Sequence, residues 1–228
     1  MFESVLGDGM SMEMPCIDVF RSLRGFDFKA LERRGRFPEE KAMELYIGYG
    51  GSWQRLMVLK IFDGRPPFYR KWIEVFSINP VVDLGLAKYI FVNSAEEKML
   101  VDCLSRYINS GERLFIEYIY DRETWKALEI GVPPHLTRLG FMLLENGFTW
   151  FKDWYYPEGF MEGSPKIQAE KPLDDDMRRR HVVELCKDAR DFEVKAKMFI
   201  QQEIYVDIFE GVLKRIQTML TGICKDIV

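Results

Sequence analysis

The chain reads as an α+β protein: a mixed, mostly antiparallel sheet flanked by helices, with a helical extension at its C-terminus. Three patterns lead to that reading. Short β-rich runs at Trp72–Ile78, Tyr89–Val92 and Leu114–Tyr120 are bounded by Asn79-Pro80, Asn93-Ser94 and Asp121-Arg122. Between the last two runs, Met99, Leu100, Cys103, Leu104, Tyr107 and Ile108 recur at helical spacing. Beyond Leu173 an apolar stripe of Val182, Leu185, Ala189, Phe192, Ala196 and Phe199 continues into a second half with Ile204, Ile208, Val212 and Ile216.

In chain order, residues 1–40 read as a helical lead-in, with short helices over Ile17–Leu23 and Phe28–Arg34 separated by Gly25. Ala42–Tyr49 and Arg55–Phe62 form an antiparallel hairpin about Gly50-Gly51, and Trp72–Ile78 adds a further strand. Ser94 caps a helix over Ala95–Ile108, with Glu97 as its capping-box partner, and Asn109-Ser110-Gly111 ends it. This helix is expected to join Tyr89–Val92 to Leu114–Tyr120 as neighbouring parallel strands. Arg122–Glu129 is a short helix. His135–Glu145 is another, stopped by Asn146-Gly147. Phe148–Tyr156 and Lys166–Lys171 pair as a final hairpin, so the sheet-bearing domain runs over 41–172. Asp174-Asp175-Asp176 then opens the tail, 173–228, through a favourable helix dipole. A break near Gln201-Gln202 or Gly211 divides the tail in two. Its stripe is too long for one small core and either wraps its own domain or, as the favoured expectation, packs on a second copy of the chain in a homodimer.

Composition narrows the function. Of 228 residues, 47% are hydrophobic and 14% aromatic, which supports a real core. A net charge of −4 with acids and bases interspersed argues against a nucleic-acid-binding surface. The short basic runs Arg33–Arg36 and Arg178–Arg180 are flanked by acids and read as solvated helix faces. Cys16, Cys103, Cys186 and Cys224 lie far apart with no Cys/His cluster. Neither a metal site nor a disulfide framework is expected, and a reducing cytoplasm fits. No membrane association is expected either, since no apolar run approaches the length of a bilayer span.

The order of strands and helices over Ala42–Lys171, with Phe141-Met-Leu-Leu-Glu-Asn-Gly-Phe148 as its best local match, resembles the GNAT acyltransferase superfamily. Trp72-Ile-Glu-Val-Phe-Ser-Ile-Asn-Pro80 is similar to that superfamily's strand ahead of the cofactor loop, and the chain also resembles an uncharacterised, mainly archaeal family near it. The resemblance implies a GNAT-like sheet and a small-molecule site for acetyl-CoA or another acyl-CoA between two splayed strands. The pyrophosphate would rest on amides at a helix start. That places cofactor binding at Gly85, or at Ser94 and Ala95. It further implies N-acyl transfer; Glu74, in an otherwise apolar strand, is the general-base candidate against a reading as a solvent-facing residue, and Tyr120, which does not match the superfamily's tyrosine position, is a second catalytic candidate. The chain departs from the superfamily at two points. Val81–Lys88 holds one glycine, and Glu96 and Glu97 in the alternative helix start would repel a pyrophosphate. Leu143 stands where the superfamily often has a tyrosine acid. A non-catalytic binding or assembly module on the same fold is the competing reading.

Among other polar candidates, Glu117 alternates with apolar neighbours as Glu74 does, while His135 and His181 read as helix-start and surface residues. The aromatic run Trp150, Phe151, Trp154, Tyr155, Tyr156 and Phe160 should turn one face to the core.

Overall fold

The computed structural model describes residues 18, 27–34, 38, 40–49, 51–62, 72–76, 94–116, 122–154 and 165–225; at 47, 49, 52, 54–57, 72–76, 94–97, 99, 100, 122 and 154 it describes backbone alone. The strands are β1 (Asp27–Arg34), β2 (Glu40–Tyr49), β3 (Ser52–Phe62) and β4 (Trp72–Phe76), followed by helix α1 (Ser94–Arg106) and strand β5 (Arg113–Ile116). Then come α2 (Arg122–Glu129), a 3-10 turn (Pro134–Leu136), α3 (Arg138–Glu145), β6 (Trp150–Trp154), β7 (Lys166–Glu170), α4 (Asp175–Gln201) and α5 (Val206–Thr221). The strands form one seven-stranded sheet in the order β1-β2-β3-β4-β5-β7-β6. Every neighbouring pair is antiparallel except β4 with β5.

Local chemistry explains most boundaries. Gly51, at φ 82°, turns β2 into β3. Helix α3 ends in a Schellman motif: Gly147, at φ 87°, donates to the Leu144 carbonyl and Phe148 to that of Leu143. At the other end of α3, Thr137 Oγ1 accepts from the Gly140 amide at 3.1 Å and donates to the Pro134 carbonyl at 2.7 Å. A Cβ on Gly140 would stand 1.8 Å from the Pro134 carbonyl oxygen, so only glycine fits there. Asp174 caps α4 by accepting from the Met177 amide at 2.7 Å.

Two apolar clusters result. The first lies between one sheet face and α1 with α3, and joins Leu45, Leu59, Leu114, Ile116, Ile167 and Ala169 to Val101, Leu104, Leu139 and Leu143. The second gathers Val182, Leu185, Ala189, Phe192 and Ala196 of α4 with Phe209, Val212, Ile216 and Met219 of α5, over Ala127, Leu136 and Leu144. Phe199 stacks on Phe209 at 4.8 Å between centroids. The tail's stripe is covered largely within one chain, by its own hairpin and by α2 and α3, though Ile204 is exposed. An ion pair fastens it, with Arg215 binding Glu123 and donating to the Leu136 carbonyl at 2.8 Å.

Three expectations need correction. Residues 28–34 are strand, not helix: Phe28 and Ala30 pack on the first core while Leu31 is exposed, a two-residue period under β2 pairing. Ile17–Leu23 lies outside the described residues apart from Asp18, which is helical. The parallel neighbour of β5 is β4, not Tyr89–Val92; a strand has two edges, and β4 and β7 take both. Residues 89–92 lie outside the described residues. His135 is in the 3-10 turn and buried, because Thr137 starts a new helix behind it and α4 closes over it.

The cysteine expectation also fails. Cys186 and Cys224 form a disulfide across 38 residues of sequence. The tail breaks where expected, between Gln201 and Val206, with Glu203 and Tyr205 at positive φ. Cys186 precedes that turn, and Cys224 follows it, by similar lengths of helix, so the antiparallel hairpin aligns them. Cys103 is disulfide-bonded as well. Among the described residues no helix is long and apolar enough to cross a membrane.

His135 sits where the two clusters meet, its ring 6.1 Å from that of Phe151. It is 2% exposed and its Nε2 has no hydrogen-bond partner. Burial pushes its pKa down from 6.5 to about 4, against a smaller upward effect of the Leu185 backbone. The unfolded chain thus takes up a proton that the folded chain refuses. Stability is complete above pH 6.5 and is lost as pH falls from 6.5 towards 4, by about 3 kcal/mol in all. Urea unfolding at neutral pH and near pH 4.5 should show His135→Gln losing less stability on acidification than the parent; equal losses would remove His135 from the account. The disulfide generates a second expectation. Closing a loop of this size stabilises by about 4 kcal/mol through the unfolded state. The Cys186→Ser/Cys224→Ser variant should melt roughly 10 °C lower, and an unchanged melting temperature would show that the hairpin is held by packing alone.

Candidate functional site

In open sheets ligands bind beyond the carboxyl ends of strands, where the connection pattern reverses. Here that place is the β4–β5 pair, the lone parallel contact among the described residues, running Trp72 to Val75 against Arg113 to Ile116. Helix α1 connects the two strands. Ser94 and Ala95 are its first residues, followed by Glu96 and Glu97 in the first turn, so free amides and two carboxylates share one helix end.

Glu74 is on β4, and the register sets position 74 between Lys60 of β3 and Phe115 of β5. Gln168 of β7 and Lys152 of β6 continue the same row. In-register partners share a sheet face. Since Leu59, Leu114 and Ile167 belong to the first core, the row belongs to the opposite face. Gly85, Tyr120 and Glu117 lie outside the described residues, as do Tyr155 and Tyr156. Leu143 is fully buried in the first core, so the α3 position of the superfamily's tyrosine carries no proton donor.

The polar sheet face was not anticipated. Lys166, Gln168 and Glu170 are 2%, 3% and 8% exposed, on the strand read only as a hairpin arm. Glu170 binds Arg113, whose guanidinium lies 5.3 Å from the Trp150 ring centroid. Lys166 lies 5.9 Å from the Phe115 ring. Glu40, 5% exposed, meets Lys60 at 3.2 Å. Charges out of water are tolerated only when paired in this way. Alternation of Lys166, Gln168 and Glu170 with Ile167 and Ala169 was visible in the sequence; burial of the polar side was not. Such a face can hold a polar acceptor and stabilise charge beside position 74. Phe151 packs on both cores, as expected for one face of the aromatic run, while Trp150 lies under Arg113. His181 is half-buried, its Nδ1 3.1 Å from Thr149 Oγ1. Among the described residues no group of acids, histidines and cysteines could hold a metal ion.

Residues 25–197 match the family model described as "Protein of unknown function (DUF1122)", and over that span, most of its length, the chain belongs to this family. It is also similar to the crystal structure of a protein of unknown function, AQ1966, from Aquifex aeolicus VF5. Identity is 35% and the TM-score 0.64, over 88% of this chain and 90% of that one. No curated protein matches the chain.

Proposed function

We propose that this DUF1122 protein has a GNAT-like fold and transfers an acyl group from an acyl-CoA to an amine at the carboxyl ends of β4 and β5. The observation that carries the reading is the strand order β1-β2-β3-β4-β5-β7-β6 among the described residues, with its single parallel pair bridged by α1. The order agrees with the resemblance seen in Phe141–Phe148 and Trp72–Pro80. In this reading the amides of Ser94 and Ala95 receive the pyrophosphate, or Gly85 lets the backbone approach it. Glu74 accepts the proton that the acceptor amine loses as its nitrogen attacks the thioester carbonyl. Tyr120 donates a proton to the departing thiolate. The polar face around Lys60 and Gln168 receives the acceptor.

Leu143 and the carboxylates Glu96 and Glu97 favour a second reading, a binding or assembly module on the same fold. Any acyl-CoA binding is expected to be weak, with a dissociation constant well above micromolar. Acetyl-CoA at about ten times that constant should raise the melting temperature by about 4 °C. Glu96→Gln/Glu97→Gln should bind no more weakly than the parent. Acyl transfer to an amine panel that drops roughly 100-fold in Glu74→Gln, at unchanged binding, supports catalysis. Binding without transfer supports the module. No thermal shift with CoA or acetyl-CoA would end the transferase reading and leave the module.

A further inference from the structure

A second polar site stands at the opposite end of the sheet, past the first residue of β5. It is an open cleft of about 520 Å³ between the C-terminal half of α1, the end of α3 and Lys171 after β7. A cleft of that size suits a small ligand. Lys98, Asp102 and Arg106 line it from one helix face, four residues apart, with Glu145, Asn146 and Lys171 opposite.

The cleft holds three cations, Lys98, Arg106 and Lys171, against two carboxylates, Asp102 and Glu145. Asp102, the natural i,i+4 partner of both Lys98 and Arg106, instead accepts from Asn146 Nδ2 at 2.8 Å. Among the described residues neither Lys98 nor Arg106 has an ion pair. Two helix C-termini would ordinarily make such a place hostile to negative charge. Both are capped from within: Lys171 Nζ donates to the Ser105 carbonyl at 2.6 Å, and Asn146 Nδ2 to that of Met142 at 2.9 Å. Lys171 lies over the Phe148 ring at 5.3 Å, and burial lowers its pKa, so its ammonium lacks the solvation it would have in water. One hydrogen bond occupies one of its three protons. Ser105, which also lines the cleft, is 2% exposed and its Oγ has no hydrogen-bond partner. An incoming oxyanion would meet unused donors on Lys171, Lys98 and Arg106 together.

We propose that this cleft binds a small oxyanion, a phosphate or carboxylate group, as a site separate from the β4–β5 edge. The inference does not rest on the acyl-CoA reading. Thermal unfolding of the full chain in about 20 mM inorganic phosphate, against chloride at equal ionic strength, should raise the melting temperature by about 3 °C. Citrate in place of phosphate separates the two sources: a shift with either anion supports the site and names the group. Lys98→Gln/Arg106→Gln alters two exposed side chains and should keep the fold while losing most of the shift. Lys171→Met should lose it too, with some stability, since the α1 cap goes with it. No shift with either anion overturns the proposal. So does an equal shift in parent and double variant, which would be the general effect of excluded salts.

Discussion

Strand β5 is four residues long and offers two hydrogen-bonding edges, and both are committed: β4 runs parallel on one side and β7 antiparallel on the other. A parallel neighbour cannot be reached through a tight turn, so the chain must leave the sheet between β4 and β5 and return, which is the work of α1. The antiparallel β7 cannot follow β5 directly either, because α2, α3 and β6 are made first and β7 is then inserted between β5 and β6. Helices α1 and α3 end on the same sheet face, and the first core forms beneath them. The tail then has a platform, made of α2, the 3-10 turn and α3, on which to build the second core.

The same short strand divides the chemistry of the sheet. Leu114 and Ile116 contribute to the apolar core, while Arg113 and Phe115 serve a face where Glu170 and Lys166 are nearly inaccessible to water. Both faces are enclosed here, yet only one is apolar. Burying charge costs stability unless every group is satisfied. A fold that retains such a face at its central strands spends stability on polarity.

Much of this was legible in the residues because the signals were local. Gly50-Gly51 marked the β2–β3 hairpin, Asn146-Gly147 the end of α3, and Asp174–Asp176 the start of α4. The failures were non-local. Phe28 and Leu31 are spaced to fit a helix, and only pairing with β2 makes that segment a strand. His135 looked like a helix-start residue until α4 covered it. Cys186 and Cys224 looked unrelated, although the break before α5 lies about midway between them in sequence. Of the candidate site, the parallel pairing was assigned to Tyr89–Val92 rather than to β4, and only the strand carrying position 74 was located from strand order. The partners of that position in β3, β7 and β6 were not, because register is decided by pairing rather than by any one segment.

The bridge between α4 and α5 also changes how the end of the chain carries force. Their connection passes through the exposed residues Glu203, Ile204 and Tyr205, while the sulfur link lies at the far end of the hairpin. A pull on the C-terminus would therefore pass through Cys224 into Cys186 and on to the middle of the molecule, leaving α5 unloaded. A cut in the exposed connection would release no fragment, since both pieces would stay tied through sulfur. The hairpin behaves as a closed ring, with its covalent fastening on the side away from its bend.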